Sequence, residues 1–459
     1  MVTFLAEQLE ENAENVTLIE NEREITAYQF IHDIKRACGF WKSFVEGKGH
    51  HIGLIGENSY FWLVQFLGII ASGNVAVAFN YNLSDEDLQY QAEISDTEIV
   101  LCDNDQIKEY QIVFPESNVL EFSSAFGEKA DIMKSPTDKM VTILFSSGTS
   151  GKSKPVPLTS GNFMAYAKQC LKEPSGKVTL MPLPFYHISG LYCYYELVKG
   201  NKLMISNGKY LIRDIRQENM SRIFLVPAMI KHIFQKLSRG EIEKKQLDGI
   251  NMVSLGATLP PEEEEQLAKS GVRMEVFYGM TETTGLISGP IGKYRSGACG
   301  KVMPYVNLKI IDGEIVVKGN NVMNGYYKMD RETWQIKKDG WLYTGDLGRM
   351  DEDGYLYITG RKKNIIILSN GENVSPEEVE SRLYQHRWIT ECKVYGESGA
   401  IYADIFTQKE ENIEFEERKQ EILAFIKKFN QKVPLTHRIR EIHVMEQELP
   451  KTATGKIKR

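Results

Sequence analysis

The sequence predicts an α/β protein with a large N-terminal domain of parallel-type sheets covered by helices, a β-rich subdomain, and a small C-terminal α+β domain. Three observations lead to this prediction. Apolar runs of strand length alternate with helical patterns through the first part of the chain, which favours parallel sheets. From Val306 the pattern becomes β-rich, and the residues after Lys363 carry helices and strands of their own.

The N-terminal elements follow one another in a regular order. A helical pattern over Tyr28–Val45 precedes an apolar strand at His51–Gly56. The long apolar stretch Phe61–Phe79 is interrupted near its middle by Gly73, so each half is too short to cross a bilayer. We therefore expect a buried helix, a turn and a short strand there, and no membrane span.

Later elements are predicted from the same signals. Further strands are expected at Met140–Phe145, Val178–Leu183, Arg222–Val226 and Met252–Leu255. Asp312-Gly313 marks a hairpin turn. Ser375, followed by Pro376, is a typical helix start and predicts a helix over Pro376–His386. We place the domain boundary at Lys363, which gives an N-terminal domain of residues 1–362 and a C-terminal domain of residues 363–459.

Composition narrows the class of protein and its location. The 459 residues carry a formal net charge of −7, which gives no basic face for nucleic acid. The six cysteines include no CxxC pair, a usage typical of a reducing compartment without a disulfide framework or a zinc site. The N-terminus shows no signal peptide. We expect a soluble, cytoplasmic protein.

The segment Phe145–Pro155, FSSGTSGKSKP, is the strongest candidate for a phosphate-binding loop. It follows a predicted buried strand and combines glycines, hydroxyl side chains and two lysines, which suits a polyphosphate. A P-loop kinase would need a glycine where Ser146 stands, and a helix where Pro155 and Pro157 follow. A Ser/Gly linker would not usually follow a buried strand. Both alternatives are disfavoured.

Five segments resemble, in the same order, the motifs of the adenylate-forming superfamily, which includes acyl-CoA synthetases, firefly luciferase and the adenylation domains of peptide synthetases. They are SSGTSGKSKP from Ser146, PLPFYHISG from Pro182, YGMTETT from Tyr278, WLYTGDLGRMDEDGYLYITGRKK from Trp341 and PKTATGKIKR from Pro450. The resemblance implies an AMP-forming acid–thiol ligase with a mobile C-terminal domain. Such an enzyme activates a carboxylic acid with ATP and Mg²⁺ to an acyl-adenylate. It then transfers the acyl group to CoA or to the phosphopantetheine of a carrier protein.

The resemblance also implies which residues bind ATP. The residues expected at its phosphates are Ser146, Ser147, Gly148, Thr149, Ser150, Gly151 and Lys154. Those expected around adenine are Tyr278 and Gly279, with Gly256, Ala257 and Thr258 along the ring edge. Asp346 would accept hydrogen bonds from the ribose hydroxyls, and Arg361 would support the ribose and phosphates.

Catalytic roles are implied in the same way. Thr281 would contact the α-phosphate, and Glu282 would bind Mg²⁺, a cation that prefers carboxylate oxygen. Lys456 resembles the mobile lysine that bridges the carboxylate and the α-phosphate. Lys363 stands at the hinge position and Gly371 beside the expected thiol tunnel. His187 stands where acyl- and aryl-activating relatives carry a gate to the acid pocket.

The acid substrate is constrained by the segment around His187. It holds no carboxylate to pair with a substrate ammonium, which disfavours an amino acid. Nearby aromatic residues favour a fatty or aryl acid, and about half of them are expected to be ordinary core: Phe185, Tyr186, Tyr192, Tyr194, Tyr195 and Phe277. With this pocket, the resemblance implies a CoA ligase of fatty acid metabolism or of aryl acids. Alternatives are an o-succinylbenzoate-CoA ligase, a carrier-protein ligase (suggested by a shortened segment at Val394–Phe406), a luciferase-like oxidase, and an inactive nucleotide-binding homologue.

Overall fold

The computed structural model describes residues 1–459 apart from 12, 147–151, 173–175, 218–219, 257–266, 268, 270, 411–412, 452–456 and 459. Its helices in the described ranges are α1 (Val2–Glu10), α2 (Ala27–Phe44), α3 (Tyr60–Ser72), α4 (Asp85–Ile94), α5 (Ile107–Val113), α6 (Ser160–Cys170), α7 (Tyr192–Val198), α8 (Leu211–Ile215), α9 (Pro227–Ser238), α10 (Asp330–Ile336), α11 (Pro376–Leu383) and α12 (Phe415–Gln431). The observed architecture confirms the predicted α/β class with parallel-type sheets and a β-rich region.

The strands are numbered in chain order. They are β1 (Val16–Glu20), β2 (Arg23–Thr26), β3 (His51–Ile55), β4 (Val75–Phe79), β5 (Thr97–Cys102), β6 (Asn118–Glu121), β7 (Met140–Ser146), β8 (Lys154–Thr159), β9 (Val178–Met181), β10 (Lys202–Ile205), β11 (Arg222–Leu225), β12 (Asn251–Ser254) and β13 (Arg273–Val276). The remainder are β14 (Tyr278–Met280), β15 (Gly285–Gly289), β16 (Lys301–Val302), β17 (Val306–Ile311), β18 (Glu314–Gly319), β19 (Lys337–Lys338), β20 (Trp341–Met350), β21 (Leu356–Arg361), β22 (Ile366–Ile367), β23 (Asn373–Val374), β24 (Glu391–Glu397), β25 (Ala400–Phe406) and β26 (Ile439–Met445).

Two large sheets form the first part of the chain. One has the order β6-β5-β3-β4-β7-β8 and is parallel except for β8. The other has the order β13-β12-β11-β9-β10-β1-β2 and is parallel except for β2. In the second sheet Phe224 and Val253 pack into one hydrophobic cluster, while Ile223 and Met252 pack into another. Both faces of this sheet are therefore covered, as expected for strands of a parallel sheet.

The antiparallel pairing of β7 with β8 decides the nature of the candidate phosphate loop. Phe145 pairs with Pro155 and Ser146 with Lys154, so the chain leaves one strand and returns directly along the next. A P-loop nucleotide-binding site would instead lead from the strand into a helix. The P-loop alternative is therefore excluded by the fold.

Local chemistry explains where other elements begin and end. The Ser59 side chain accepts a hydrogen bond from the Trp62 N–H at the start of α3, and Gly73 ends that helix with a φ of 92°.

Two predicted ends were wrong by two and three residues: β9 ends at Met181 rather than Leu183, and α11 ends at Leu383 rather than His386. No helix in the described ranges is long and apolar enough to cross a bilayer.

The β-rich region and the residues after it belong to different hydrophobic clusters. The sheet of β17, β18, β20, β19 and β21 contains the predicted Asp312-Gly313 hairpin turn, which joins β17 to β18. Beyond Lys363, most of the described buried apolar side chains form one cluster of their own, which includes Ile366, Leu383 and Ile426 and shares no buried member with the other clusters. The short hairpin β24–β25 turns at Ser398-Gly399, with positive φ at both residues.

Candidate active site

The carboxylate of Glu282 lies at the centre of the candidate active site. Glu282 belongs to a single helical turn, Thr281–Thr283, between β14 and β15, and only 4% of it is exposed. Its Oε1 accepts a hydrogen bond of 2.9 Å from the Tyr326 hydroxyl. Burial and the adjacent Glu282 carboxylate raise the pKa of Tyr326, which therefore stays protonated and donates.

Tyr326 also connects Glu282 to the candidate phosphate loop. The Lys154 ammonium lies 5.0 Å from the centre of the Tyr326 ring, within the range of a cation–π contact. Ser146 lies close enough to the Tyr326 hydroxyl to act on its pKa, which it lowers against the larger effect of burial. Ser146 and Lys154 flank the loop, so the structure brings its two ends and the predicted Mg²⁺ ligand together around one tyrosine. This grouping suits a polyphosphate with its cation.

A second cluster forms around Asp346, which is 3% exposed. Its Oδ1 lies 2.7 Å from Nε of Arg361, the residue opposite it across the β20–β21 pair. Its Oδ2 accepts a hydrogen bond of 2.9 Å from the Tyr278 hydroxyl. Burial and the Asp346 carboxylate raise the pKa of Tyr278 well above its ordinary value. Three of the residues predicted to bind adenosine therefore lie in direct contact.

The hairpin that holds both clusters is tightly constrained. A side chain at Gly279 would collide with the Gly285 carbonyl, since the added Cβ would lie only 1.5 Å from that oxygen. Thr284 adopts a left-handed conformation with a φ of 52°, and its hydroxyl donates to the Asn321 carbonyl at 2.8 Å. The buried Asn321 amide donates in return to the Thr283 carbonyl at 3.0 Å. These contacts fix the turn that carries Thr281 and Glu282.

His187 lies in the loop between β9 and α7, in the half-buried range of exposure. Its Nδ1 lies 2.8 Å from Ser189 Oγ and accepts a hydrogen bond of 3.3 Å from the Ser189 N–H. An accepting Nδ1 assigns the proton of the neutral ring to Nε2. The loop therefore fixes the tautomer of the predicted gate.

The aromatic residues predicted to line the acid pocket divide into two groups. Tyr192 lies 6.0 Å from the Phe277 ring and touches the position of a Gly285 side chain, so both aromatics border the Glu282 hairpin. Tyr194 and Tyr195 pack instead against Phe163 of α6. The remaining two also have core partners: Phe185 lies 5.5 Å from Trp62, and Tyr186 lies 5.5 Å from Tyr81. Two of the six therefore border the hairpin and four pack elsewhere, and the expectation that about half are ordinary core stays a prediction.

The other predicted positions lie as follows. Gly256 lies two residues after β12 with a φ of 83°, and Lys363 is exposed in the turn Lys362–Asn364 after β21. Gly371 is exposed in a loop with a φ of 83°. Eight predicted residues lie outside the described ranges, namely Ser147, Gly148, Thr149, Ser150, Gly151, Ala257, Thr258 and Lys456.

Comparison with known protein families identifies the family that has this site. Residues 5–327 match the AMP-binding enzyme family, and residues 363–459 match the AMP-binding enzyme C-terminal domain. The chain belongs to the AMP-binding enzyme family. The predicted superfamily and the prediction of an enzyme are thereby confirmed.

Curated relatives of this AMP-binding enzyme are CoA ligases. It is 28% identical to a 2-succinylbenzoate–CoA ligase of Bacillus cereus (strain ATCC 14579) over 96% of this chain and 94% of that protein. It is 26% identical to a long-chain-fatty-acid–CoA ligase of Bacillus subtilis (strain 168) over 95% of this chain and 89% of that protein.

Solved structures give the same fold. The o-succinylbenzoate CoA synthetase of Bacillus subtilis, in complex with its acyl-adenylate intermediate, matches with a TM-score of 0.84 and 25% identity over 99% of this chain and 96% of that one. The same enzyme has also been solved with ATP and a magnesium ion. The fold of this AMP-binding enzyme is therefore that of a ligase which forms an acyl-adenylate.

Sequence reasoning missed three residues of this AMP-binding enzyme that the structure places at the site. Tyr326 and Asn321 follow β18 in the segment GNNVMNGYY. The two adjacent tyrosines in it could equally well be ordinary core residues, so the sequence does not mark them as site residues. The third, Gln91 of α4, donates a hydrogen bond of 3.0 Å to Ser153 Oγ near the end of the phosphate loop, and it is 1% exposed. Its neighbour Tyr90 lies 4.6 Å from the Lys152 ammonium. Nothing in the sequence indicates these long-range contacts.

We expect Gln91→Ala to weaken binding of ATP and pyrophosphate while leaving AMP affinity unchanged. The loss of the Ser153 contact would loosen the loop expected at the β- and γ-phosphates, which AMP lacks. An approximately threefold to tenfold rise in the KM for ATP is expected, the size of one lost hydrogen bond. Gln29→Ala is the control, because Gln29 donates to Asp33 on α2 away from this loop. Equal losses of ATP and AMP affinity would show instead that Gln91 is only structural.

Proposed function

We propose that this AMP-binding enzyme is an acid–CoA ligase that acts on an aryl or fatty acid. In the first step the acid carboxylate attacks the α-phosphate of ATP, giving an acyl-adenylate and pyrophosphate. In the second step the CoA thiol attacks the acyl carbon, giving acyl-CoA and AMP. The observation that carries the proposal is the convergence of Glu282, Lys154 and Ser146 on Tyr326.

The residues around Glu282 fit a magnesium ion bound together with ATP. Among the described residues no three His, Cys, Asp or Glu side chains cluster as an all-protein metal site would require. Magnesium commonly binds to one or two carboxylates, with substrate phosphates and water completing its shell. Glu282 supplies such a carboxylate, and Tyr326 occupies one of its two oxygens. When bound, the cation would neutralise charge on the phosphates. Lys154 would add a second positive charge beside them.

The Asp346 cluster fits the nucleoside end of ATP. Asp346 would accept hydrogen bonds from ribose hydroxyls, while Arg361 holds the carboxylate in place from β21. Tyr278 would offer its ring to adenine while its hydroxyl is held by Asp346. Binding ATP at both ends fixes the α-phosphate for attack, so positioning supplies much of the rate. We assign Thr281 and Lys456 to the α-phosphate on the basis of the family motifs.

The acid substrate is proposed from the pocket and from the relatives. Tyr192 and Phe277 present aromatic surface beside the Glu282 hairpin, and His187 lies in the preceding loop. The described residues of the segment from Pro182 to Gly190 include no carboxylate for a substrate ammonium. The curated ligases that resemble the chain act on 2-succinylbenzoate or on long-chain fatty acids, so these are the first substrates to test.

We also propose that the domain boundary lies at Lys363 and that residues 363–459 move between the two half-reactions. The separate hydrophobic cluster beyond Lys363 supports this division. We propose free CoA as the acceptor rather than a carrier protein, because the curated relatives are CoA ligases. A cytoplasmic location is supported by six buried cysteines that form no disulfide.

Lys363→Pro should slow thioester formation about tenfold or more and leave adenylation nearly unchanged. Proline fixes φ and restricts the residue before it, so the turn Lys362–Asn364 could no longer absorb a large rotation. Pyrophosphate release and acyl-CoA formation are measured separately, with Lys363→Ala as the control that keeps backbone freedom. Equal loss of both half-reactions in the proline variant would argue against a hinge.

The function is tested by acid-dependent pyrophosphate release across a panel of aryl, fatty and amino acids, with and without CoA. We expect one aryl or fatty acid to stimulate release, and acyl-CoA and AMP to accumulate once CoA is added. Release with retention of the acyl-adenylate, and no acyl-CoA, would contradict CoA as the acceptor. The absence of release with every acid would favour an inactive nucleotide-binding homologue.

A further inference from the structure

A cavity of about 450 Å³ opens at the carboxyl edge of the seven-stranded sheet, apart from the Glu282 and Asp346 clusters. Three segments line it: the loop after β10, the start of α8 and the first two turns of α9. The side chains that define its chemistry are Lys209, Tyr210, Arg213, Met229 and His232. Because these segments are separated along the chain, the cavity cannot be recognised from the sequence.

The rim of the cavity carries cations and no acid. The side chains of Lys209 and Arg213 are 62% and 64% exposed. Their acidic partners are not lining residues: Glu57 pairs with Lys209, and the buried Asp214 pairs with Arg213 and accepts from Ser206. Both cations therefore keep donors that can turn towards an anion in the cavity.

An aromatic surface and an apolar floor complement this charge. Tyr210 is 59% exposed, and the Arg213 guanidinium lies 4.6 Å from the centre of its ring. Met229 contributes apolar surface opposite. An arginine stacked on an exposed aromatic ring, next to a lysine, is a combination that suits a base with attached phosphates.

The cavity lies between the segment Pro182–Gly190, which carries His187, and residues 363–459, here called the C-terminal unit. A side chain at Gly208 would lie 3.4 Å from the Pro182 carbonyl, at the start of that segment. On the other side, α9 contacts the C-terminal unit through the Lys231 ammonium, 4.0 Å from the Tyr384 ring. The thiol must reach the acyl carbon along this boundary if the C-terminal unit closes over the second half-reaction.

We propose that this cavity binds the nucleotide end of CoA, with the diphosphate and 3′-phosphate at Lys209 and Arg213 and the adenine against Tyr210. The proposal rests on the proposed function. The adenosine of ATP is proposed to bind at Tyr278 and Asp346, so a second site for a nucleotide suits the second nucleotide-bearing substrate. A carrier-protein arm has neither adenine nor a 3′-phosphate. The cavity therefore favours free CoA as the acceptor.

The test compares acceptors of decreasing size on the full-length enzyme. For Lys209→Ala combined with Arg213→Ala, we expect the KM for CoA to rise about tenfold or more, as for lost charge-assisted hydrogen bonds. The KM for dephospho-CoA should rise less, and that for pantetheine should stay unchanged. Acid-dependent pyrophosphate release without CoA should equal that of the unmodified enzyme. Lys245→Ala is the matched control, since it removes an exposed, ion-paired lysine outside the cavity.

A second variant should shift affinity in the opposite direction. The pKa of Glu57 is lowered by its hydrogen bond with Lys209, so this carboxylate is a charged competitor for the lysine. Glu57→Gln should free the ammonium and lower the KM for CoA about twofold to threefold, the size of one exposed ion pair. The KM for pantetheine should not change.

Three outcomes would overturn the proposal: an unchanged KM for CoA in the double variant, an equal rise for CoA and pantetheine, or a rise in the Lys245→Ala control of the same size. Failure of the proposed function looks different. In that case no acid stimulates pyrophosphate release by the unmodified enzyme, or no thioester forms with CoA, dephospho-CoA or pantetheine.

Discussion

Glu282→Gln should reduce adenylation about a thousandfold, equivalent to about 4 kcal/mol of lost transition-state stabilisation. Glutamine keeps the shape of the side chain and an acceptor for Tyr326, but it removes the negative charge proposed to bind Mg²⁺. The measurement is acid-dependent pyrophosphate release at saturating ATP with varied Mg²⁺ concentration. A higher Mg²⁺ requirement is expected together with the lower rate.

Two further variants distinguish loss of the charge from a general disturbance of the site. Tyr326→Phe keeps the ring and removes the hydroxyl that donates to the carboxylate, so a loss of about tenfold is expected. Glu380→Gln alters an equally buried acid that accepts from the Val394 N–H in the C-terminal unit. It should lower the melting temperature and leave the adenylation rate per folded molecule unchanged. If Glu282→Gln behaves like Glu380→Gln, Glu282 is structural.

Asp346→Asn should raise the KM for ATP about a hundredfold, the effect expected for two hydrogen bonds from ribose to a charged acceptor. The amide keeps one acceptor oxygen for Tyr278 and loses the ion pair with Arg361. Arg361 is 45% exposed and can turn to water, so the melting temperature should fall only modestly. The KM for the acid should stay the same.

The chain offers a matched control for this change. Asp351 pairs with Arg295 at 2.7 Å and lies just after β20, outside the proposed nucleotide site. Asp351→Asn should lower stability by a similar amount and leave the KM for ATP unaltered. A fall in stability without a change in the KM for ATP in the Asp346 variant would mean that this ion pair only joins β20 to β21.

Much of the fold was predictable because the signals are local. The apolar run of β4, the interruption at Gly73 and the Asp312-Gly313 turn each lie within a few residues of the structure they specify. The errors in the predicted ends of β9 and α11 are also local, since they involve two and three residues. Pro182 follows β9 directly and has no N–H with which to continue the parallel ladder.

The candidate site was predictable only where a motif carries the residue. Glu282, Asp346 and Arg361 stand in recognisable segments, and the structure brings the last two into contact. Tyr326 meets Glu282 across 44 residues, and Gln91 meets Ser153 across 62. Such contacts depend on how sheets and loops pack in three dimensions, and no periodicity in one sequence reports them. The same holds for the cavity beside α9.

The separate hydrophobic cluster beyond Lys363 has an evolutionary consequence. Substitutions that repack Ile366, Leu383 or Ile426 alter a core with no buried member in common with the core around Tyr192 and Phe277. Effects of changes at distant sites without shared partners are close to additive. With the proposed division of roles, natural selection could therefore adjust how the C-terminal unit presents the thiol without disturbing which acid is chosen. A lineage could change its acid while inheriting the same transfer machinery.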